Sequence, residues 1–248
     1  MLELLRAERG ARRVLIAQGL APSSTLGEIR KRAAQAGVPV AHVSRAQIDR
    51  LAEGTNHQGV VAETARYRYT DLEDMLRQPA ACVLFLDGVM DPHNLGSLLR
   101  SADSAGWHGM VLPARRAAGV TAAVRRTSSG AAEVVPVARV ANLAHSLDRA
   151  RAAGLWIVGL DARAKTSLWT SNLLAPPVAL VLGAEDRGIS RIVAGRCDEL
   201  VAIPSRGRLA SLNVAVAGAI AMMSSSYGLK ATRDPGPRPP RRGLRPDQ

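Results

Sequence analysis

Residues 80–102 read AACVLFLDGVMDPHNLGSLLRSA. The apolar run from Ala80 to Leu86 has no polar residue, which fits a strand buried on both faces, as in parallel sheets. A Gly/Pro/Asp loop follows. Leu95, Leu98, Leu99, Ala102 and Ala105 then keep the spacing of one helical face, and Asp91 or Asn94 is placed to cap the helix start. Similar apolar runs recur at His108–Leu112, Leu155–Leu160, Val178–Leu182 and Leu200–Ile203, with helical stretches between them. Strands alternating with helices predict an α/β domain with a mainly parallel sheet.

Upstream, strands are expected at Arg13–Ala17, Val38–Val43 and Gly59–Thr64. Helices are expected at Thr25–Ala36, capped by Ser24 or Thr25, and at Ala46–Leu51. The division is therefore a small α/β domain over residues 1–66, a polar linker over 67–79, the large α/β domain over 80–229, and a tail over 230–248. The tail holds five prolines and five arginines, cannot bury a core, and reads as disordered.

The chain has 248 residues, 47% of them hydrophobic, and a formal net charge of +12. That charge on a globular chain favours a polyanionic partner, nucleic acid or an anionic membrane surface. The longest late apolar run, Val214 to Met223, is too short to span a bilayer. Two cysteines in apolar runs, Cys82 and Cys197, suggest a reduced, cytoplasmic protein without a disulfide framework. No two glycines stand two apart, so the dinucleotide fingerprint is absent, as are a P-loop, a C-x-x-C, an H-E-x-x-H and a G-x-S-x-G. Hydride transfer, P-loop hydrolysis and metalloprotease chemistry are disfavoured, and no metal is expected.

Ligands of open parallel sheets bind beyond the carboxyl ends of the strands. Three strands here end in polar or glycine-rich loops: Leu86–Ala102, Gly183–Ser190 (GAEDRGIS) and Ile203–Asn213 (IPSRGRLASLN). Their convergence on one edge is the physical pointer to a site. Individually the residues stay ambiguous. Arg100 is a solvated charge or a contact to RNA or a second subunit, and Asn94 is a cap or a site residue. Glu185 is a solvated turn residue or a ligand contact, Asn213 a structurally satisfied amide or a ligand contact, and Ser211 an N-cap or a site residue. Arg115, Arg116, Arg125 and Arg126 form an acid-free basic stretch that is either solvated surface or an RNA backbone contact.

Taken in order, LDGVMDPHNLGSLLRSADSAGW, VLGAEDRGIS and IPSRGRLASLNVAVAGAIAM resemble the three motifs of the SpoU branch of the SPOUT RNA 2′-O-methyltransferases. RRVLIAQG and NHQGVVA are similar, more weakly, to the ribosomal-protein-L30e-like substrate-binding domain of bacterial 23S rRNA guanosine 2′-O-methyltransferases. The resemblance implies a C-terminal trefoil knot, S-adenosyl-L-methionine as cofactor, RNA (large-subunit rRNA) as partner, and a homodimer. It carries cofactor contacts to Gly183, Ile203 and Leu212, and catalytic positions to Asn94, Arg100, Glu185, Ser211 and Asn213. The third motif departs from the family's common IPM at Ser205. Alternative readings are a tRNA or antibiotic-resistance rRNA 2′-O-methyltransferase, or a non-catalytic RNA-binding ribosome-assembly protein.

Overall fold

A computed structural model of the protein describes residues 1–6, 11–52, 57–115, 117–205, 207 and 212–228. Arg116, Ser211 and the tail from residue 230 lie outside the described residues.

The N-terminal unit runs α1 (Leu2–Arg6), β1 (Ala11–Ala17), α2 (Ser24–Gln35), β2 (Val40–Val43), α3 (Arg45–Leu51) and β3 (Val60–Thr64). Its sheet has the order β2-β1-β3, with β1 parallel to β2 and antiparallel to β3. Alternation along β1 sends Val14 and Ile16 to one face, against Leu26, Ile29 and Ala33 of α2 and Leu5 of α1. Leu15 and Ala17 go to the other face, against Ile48 of α3. The cap of α2 is Ser23, one residue before the expected pair: its hydroxyl accepts from Leu26 N at 3.1 Å.

The stretch expected to be a linker contains α4 (Leu72–Leu76). Leu72, Met75 and Leu76 are buried with Val83 and Phe85 of the large domain, so this stretch is packed structure rather than a tether. Just before it, Tyr67 and Tyr69 pack inward while Arg66 and Arg68 face solvent. The alternating arginines disguise a half-buried extended segment as a polar one.

The large unit runs β4 (Cys82–Asp87), α5 (Pro92–Ser104), β5 (Gly109–Pro113), α6 (Ala122–Thr127), α7 (Ala131–Val134), β6 (Val137–Val140) and α8 (Leu143–Ala152). It continues with β7 (Trp156–Leu160), β8 (Thr166–Ser167), β9 (Val178–Gly183), α9 (Arg191–Ala194), β10 (Glu199–Ala202) and α10 (Val214–Ser226). The strand order is β6-β5-β4-β9-β7-β10-β8, and every pairing is parallel. One face buries Leu84, Leu86, Leu180 and Leu182 against α5 and α10. The other buries Val83, Phe85, Ala179 and Val181 against α4, α8 and α9. Two-sided burial is what made these strands legible as unbroken apolar runs.

β6 and β8 were not foreseen. β6 is a four-residue edge strand interrupted by the exposed Arg139, and β8 is a two-residue strand on the opposite edge. Edge strands bury less and carry polar residues, so their apolar signal is short.

Beyond β10 the chain returns past β7, and α10 lies on α5 and β9. This return is the segment that the resemblance threads through the knot; residues 206 and 208–211 of it lie outside the described residues. Three serine and tryptophan contacts hold the far end of α10. Ser225 Oγ donates to the Leu174 carbonyl at 2.6 Å, and Ser226 Oγ donates to the Ala105 carbonyl at 2.7 Å and accepts from Trp107 Nε1 at 3.2 Å.

Candidate active site

The parallel strands β4, β9 and β10 deliver their three loops to one edge of the sheet. The first loop leads into α5 through Asp91, whose carboxylate accepts from His93 N at 3.0 Å and caps the helix; Pro92 occupies the first turn. With the cap supplied by Asp91, Asn94 is released from that duty and lies buried in the first turn of α5, 8% exposed. The second loop is drawn tight. Ala184 and Gly188 exchange backbone hydrogen bonds at 3.1 and 2.8 Å, and Ser190 N donates to Asp87 Oδ2, at the end of β4, at 2.7 Å. A Cβ on Gly183 would stand 2.0 Å from the Gly188 carbonyl carbon, so only glycine lets the loop double back on the strand end.

This loop presents Glu185. Its Oε1 accepts from Asn94 Nδ2 at 2.9 Å and from Asn213 Nδ2 at 2.8 Å. Asn213 Nδ2 also donates to Asn94 Oδ1 at 3.0 Å. The other end of the Asn213 amide caps α10, its Oδ1 accepting from Ala215 N at 2.9 Å and Val216 N at 3.3 Å. Three residues separated by up to 119 positions thus form one closed triangle. Each amide is oriented by a fixed element, and a carboxylate held by two N–H donors keeps its second oxygen for a further partner. The cap of α10 is Asn213, with the helix beginning at Val214; Ser211, expected as a cap or site residue, lies outside the described residues.

Beside the triangle opens a cavity of about 480 Å³ whose walls include Leu160, Leu182, Ile203, Leu212, Val214 and Ala217. The Gly183–Gly188 loop closes another side, and Asp161, Glu185 and Asp186 supply carboxylates. Gly183, Ile203 and Leu212 therefore line one space. Its size is that of a small-molecule site. Its lining combines aliphatic walls, the backbone of the Gly183–Gly188 loop, and side chains of both charges, with Arg163 and Arg187 beside the three carboxylates. Sequence reasoning missed the loop after β7, where Asp161 and Arg163 pair at 3.1 Å on the cavity rim. The Arg163 guanidinium holds the Asp161 carboxyl below its ordinary range. The signal was present: Leu155–Leu160 also ends in a polar loop, Asp161-Ala162-Arg163.

The remaining candidates sit elsewhere. Arg100 projects from α5 into solvent and makes no hydrogen bond or ion pair with a described residue; it is not brought into the triangle of its own chain. Arg115 and Arg126 are exposed. Arg125 is half-buried and already committed to protein partners, with Glu133 Oε1 at 2.6 Å and Thr64 Oγ1 at 2.8 Å, which removes it from the solvent-facing arginines. Among the described residues no group of His, Cys, Asp and Glu could hold a metal ion, and no helix is long and apolar enough to cross a membrane.

The SpoU rRNA Methylase family model matches residues 81–223, and a model for RNA 2′-O ribose methyltransferase substrate binding matches residues 1–70. The chain is 38% identical over 231 residues to the Bacillus subtilis protein named as a TrmH family tRNA/rRNA methyltransferase, YacO, with 90% of each chain covered. It is similar to the AdoMet-bound rRNA methyltransferase of Sinorhizobium meliloti, with a TM-score of 0.78 and 26% identity over 92% of this chain and 85% of that one. It is also similar to the SpoU methyltransferase AviRb of Streptomyces viridochromogenes in complex with AdoMet, with a TM-score of 0.76 and 25% identity over 91% and 86%. Both likenesses span more than nine tenths of this chain and so take in both of its domains. With a substrate-binding domain ahead of a methylase domain, the chain belongs to the SpoU family and is an S-adenosylmethionine-dependent RNA 2′-O-ribose methyltransferase.

Proposed function

We propose that this enzyme is cytoplasmic and methylates a guanosine ribose of 23S rRNA, working as a homodimer. The observation that supports a composite site best is the split between the triangle and Arg100. Asn94, Glu185 and Asn213 are locked together in one chain, while Arg100 of the same chain points away into solvent. A second copy brings its Arg100 to the triangle. Apolar side chains around the triangle favour such a partner: Met90, Leu212 and Val216 are 64%, 47% and 48% exposed.

S-adenosylmethionine, when bound, supplies the methyl group. Gly183, Ile203 and Leu212 would hold it, and Asn94, Glu185 and Asn213 would orient the ribose and the incoming arginine, a role the family motif also gives to Ser211, which lies outside the described residues. Arg100 acts as a hydrogen-bond donor rather than as the base, since a guanidinium offers five N–H groups and no acceptor. Its forked donors hold an RNA phosphate and stabilise negative charge developing on the 2′-oxygen as the hydroxyl proton leaves to that phosphate or to water. Alignment of oxygen and methyl carries the rest of the acceleration. The exposed Arg115 and Arg126 extend the phosphate-binding surface, Arg116 lies outside the described residues, and Arg125, with its donors engaged, is left out.

The ribosomal target rests on architecture. The substrate-binding match spans residues 1–70, and the structural likeness to an rRNA methyltransferase extends over both domains. The test is ribose-methylation mapping of rRNA and tRNA from a strain lacking the gene, paired with transfer of labelled methyl groups by the purified enzyme to unmethylated large subunits. One missing 23S guanosine methylation is the expected result. A missing tRNA methylation overturns the ribosomal target, and no transfer to any RNA overturns the catalytic reading in favour of a ribosome-assembly protein.

A further inference from the structure

We infer that Arg125 is a positioning residue that sets the substrate-binding domain at a fixed angle to the active site, an inference that rests on the proposed RNA substrate. Its guanidinium makes a two-point contact with Glu133 of α7, Nε to Oε1 at 2.6 Å and Nη2 to Oε2 at 3.0 Å. The remaining terminal nitrogen reaches out of the large domain. Nη1 donates to Thr64 Oγ1 at 2.8 Å and to the Ala65 carbonyl at 3.4 Å, at the end of β3. The same guanidinium stands 5.9 Å over the ring of Tyr67. The Arg125 and Glu133 side chains are only 15% and 4% exposed. Such an ion pair is directional, because breaking either partner strands a charge away from water.

Two further contacts make this a seat rather than a single strap. On the N-terminal side, α1 rests directly on Gly130, where a Cβ would lie 2.4 Å from Glu3 Cβ. On the catalytic side, Thr127 Oγ1 lies 3.0 Å from the Pro92 carbonyl, in the first turn of α5, and shares its one hydrogen between that carbonyl and those of Ala123 and Val124 in its own helix. Gly96 leaves the notch that admits it: a Cβ there would stand 2.1 Å from Thr127 Oγ1. The α6–α7 segment therefore touches the RNA-binding domain on one side and, on the other, the helix turn that carries Asn94. A long RNA held by the first domain meets the triangle in one register only while this seat is closed.

The test uses the full chain. Arg125→Met with Glu133→Leu removes the pair without leaving a buried charge, and Thr64→Val removes one rung of the contact with little effect on packing. Spin labels at Arg30→Cys and Ala152→Cys, both exposed and remote from the cavity, report the distance between domains. The expected result is a narrow distance distribution that broadens in the double variant and, less, in Thr64→Val. With it the KM for large-subunit rRNA rises about tenfold while AdoMet affinity stays within twofold. A distribution already broad in the starting protein, or an unchanged RNA KM in the double variant, overturns the inference. Loss of AdoMet affinity in step with turnover also overturns it, because a merely structural role would do that. If the starting protein methylates no RNA, the substrate reading fails and the distance measurement alone decides the seat.

Discussion

The two sheets of this chain bury themselves differently. In the seven-stranded sheet, β4 and β9 are buried on both faces, and the loops at their ends are held by backbone and carboxylate contacts within a few ångströms of one another. In the three-stranded sheet, β2 and β3 are only partly buried and the core divides into two small clusters. A doubly buried sheet makes a stiff frame for a site that tolerates little displacement. A half-buried sheet leaves much of its surface available for docking. The difference fits the family matches, which put the methylase in the first region and the substrate-binding module in the second.

The largest expected effect tests that assignment at its catalytic end. With Arg100 in the proposed charge-stabilising role, Arg100→Ala lowers methyl transfer about 100-fold or more, read as kcat. The melting temperature and AdoMet affinity stay unchanged, since Arg100 is solvent-facing in its own chain. Activity equal to the parent returns Arg100 to a solvated surface charge. Gly183→Ala comes next. Its Cβ collides with the Gly188 backbone, so stability falls by about 1–3 kcal/mol in a denaturant titration, and AdoMet binding is lost with it. Ile16→Ala, in the small domain, costs a comparable 2–4 kcal/mol or so for that domain, with AdoMet affinity unaffected. A matching loss of AdoMet affinity in that variant would break the division of labour.

A smaller effect follows from the cysteines. Burial pushes the Cys82 thiol up to about 11 and, with the Asp198 charge adding to it, the Cys197 thiol up to about 12. Both stay protonated in the folded state while an unfolded thiol ionises near 9. Their contribution to stability is thus complete below pH 9 and is lost as pH rises toward 11 to 12. Denaturation midpoints of Cys82→Ser/Cys197→Ser against the parent across that range check the sign. The smallest effect is Arg13→Ala. The Arg13–Glu63 pair is exposed on the small sheet, and its loss shifts stability by less than about 1 kcal/mol.

Much of the large domain was readable because its strands are buried on both sides. Ala80–Leu86 and Val178–Leu182 declare themselves as apolar runs, and the helix face of Leu95, Leu98 and Leu99 follows from period alone. The edge strand β6 escaped because Arg139 interrupts it. The helix at Leu72–Leu76 escaped because it is barely one turn long and follows alternating arginines that point to water. Arg125 could not be told from Arg126 in the sequence: neighbours on one helix, one meets Glu133 and Thr64, and the other faces solvent. The sequence pointed to Asn94, Glu185 and Asn213 as positions but left the role of each open. Only the capping by Asp91 and the 2.8–3.0 Å triangle show which groups are taken and which oxygen remains.

Local patterns, apolar period and turn chemistry, were sufficient to determine the α/β class, the three converging loops and the family motifs, because each depends on neighbours along the chain. The closed triangle and the cavity beside it depend on groups tens to more than a hundred residues apart, as does the Arg125 contact to Thr64. Their partners are chosen by the order in which parallel strands assemble and by how the last helix returns across the sheet. Spacing in sequence carries no distance in space, and those choices belong to the tertiary structure alone.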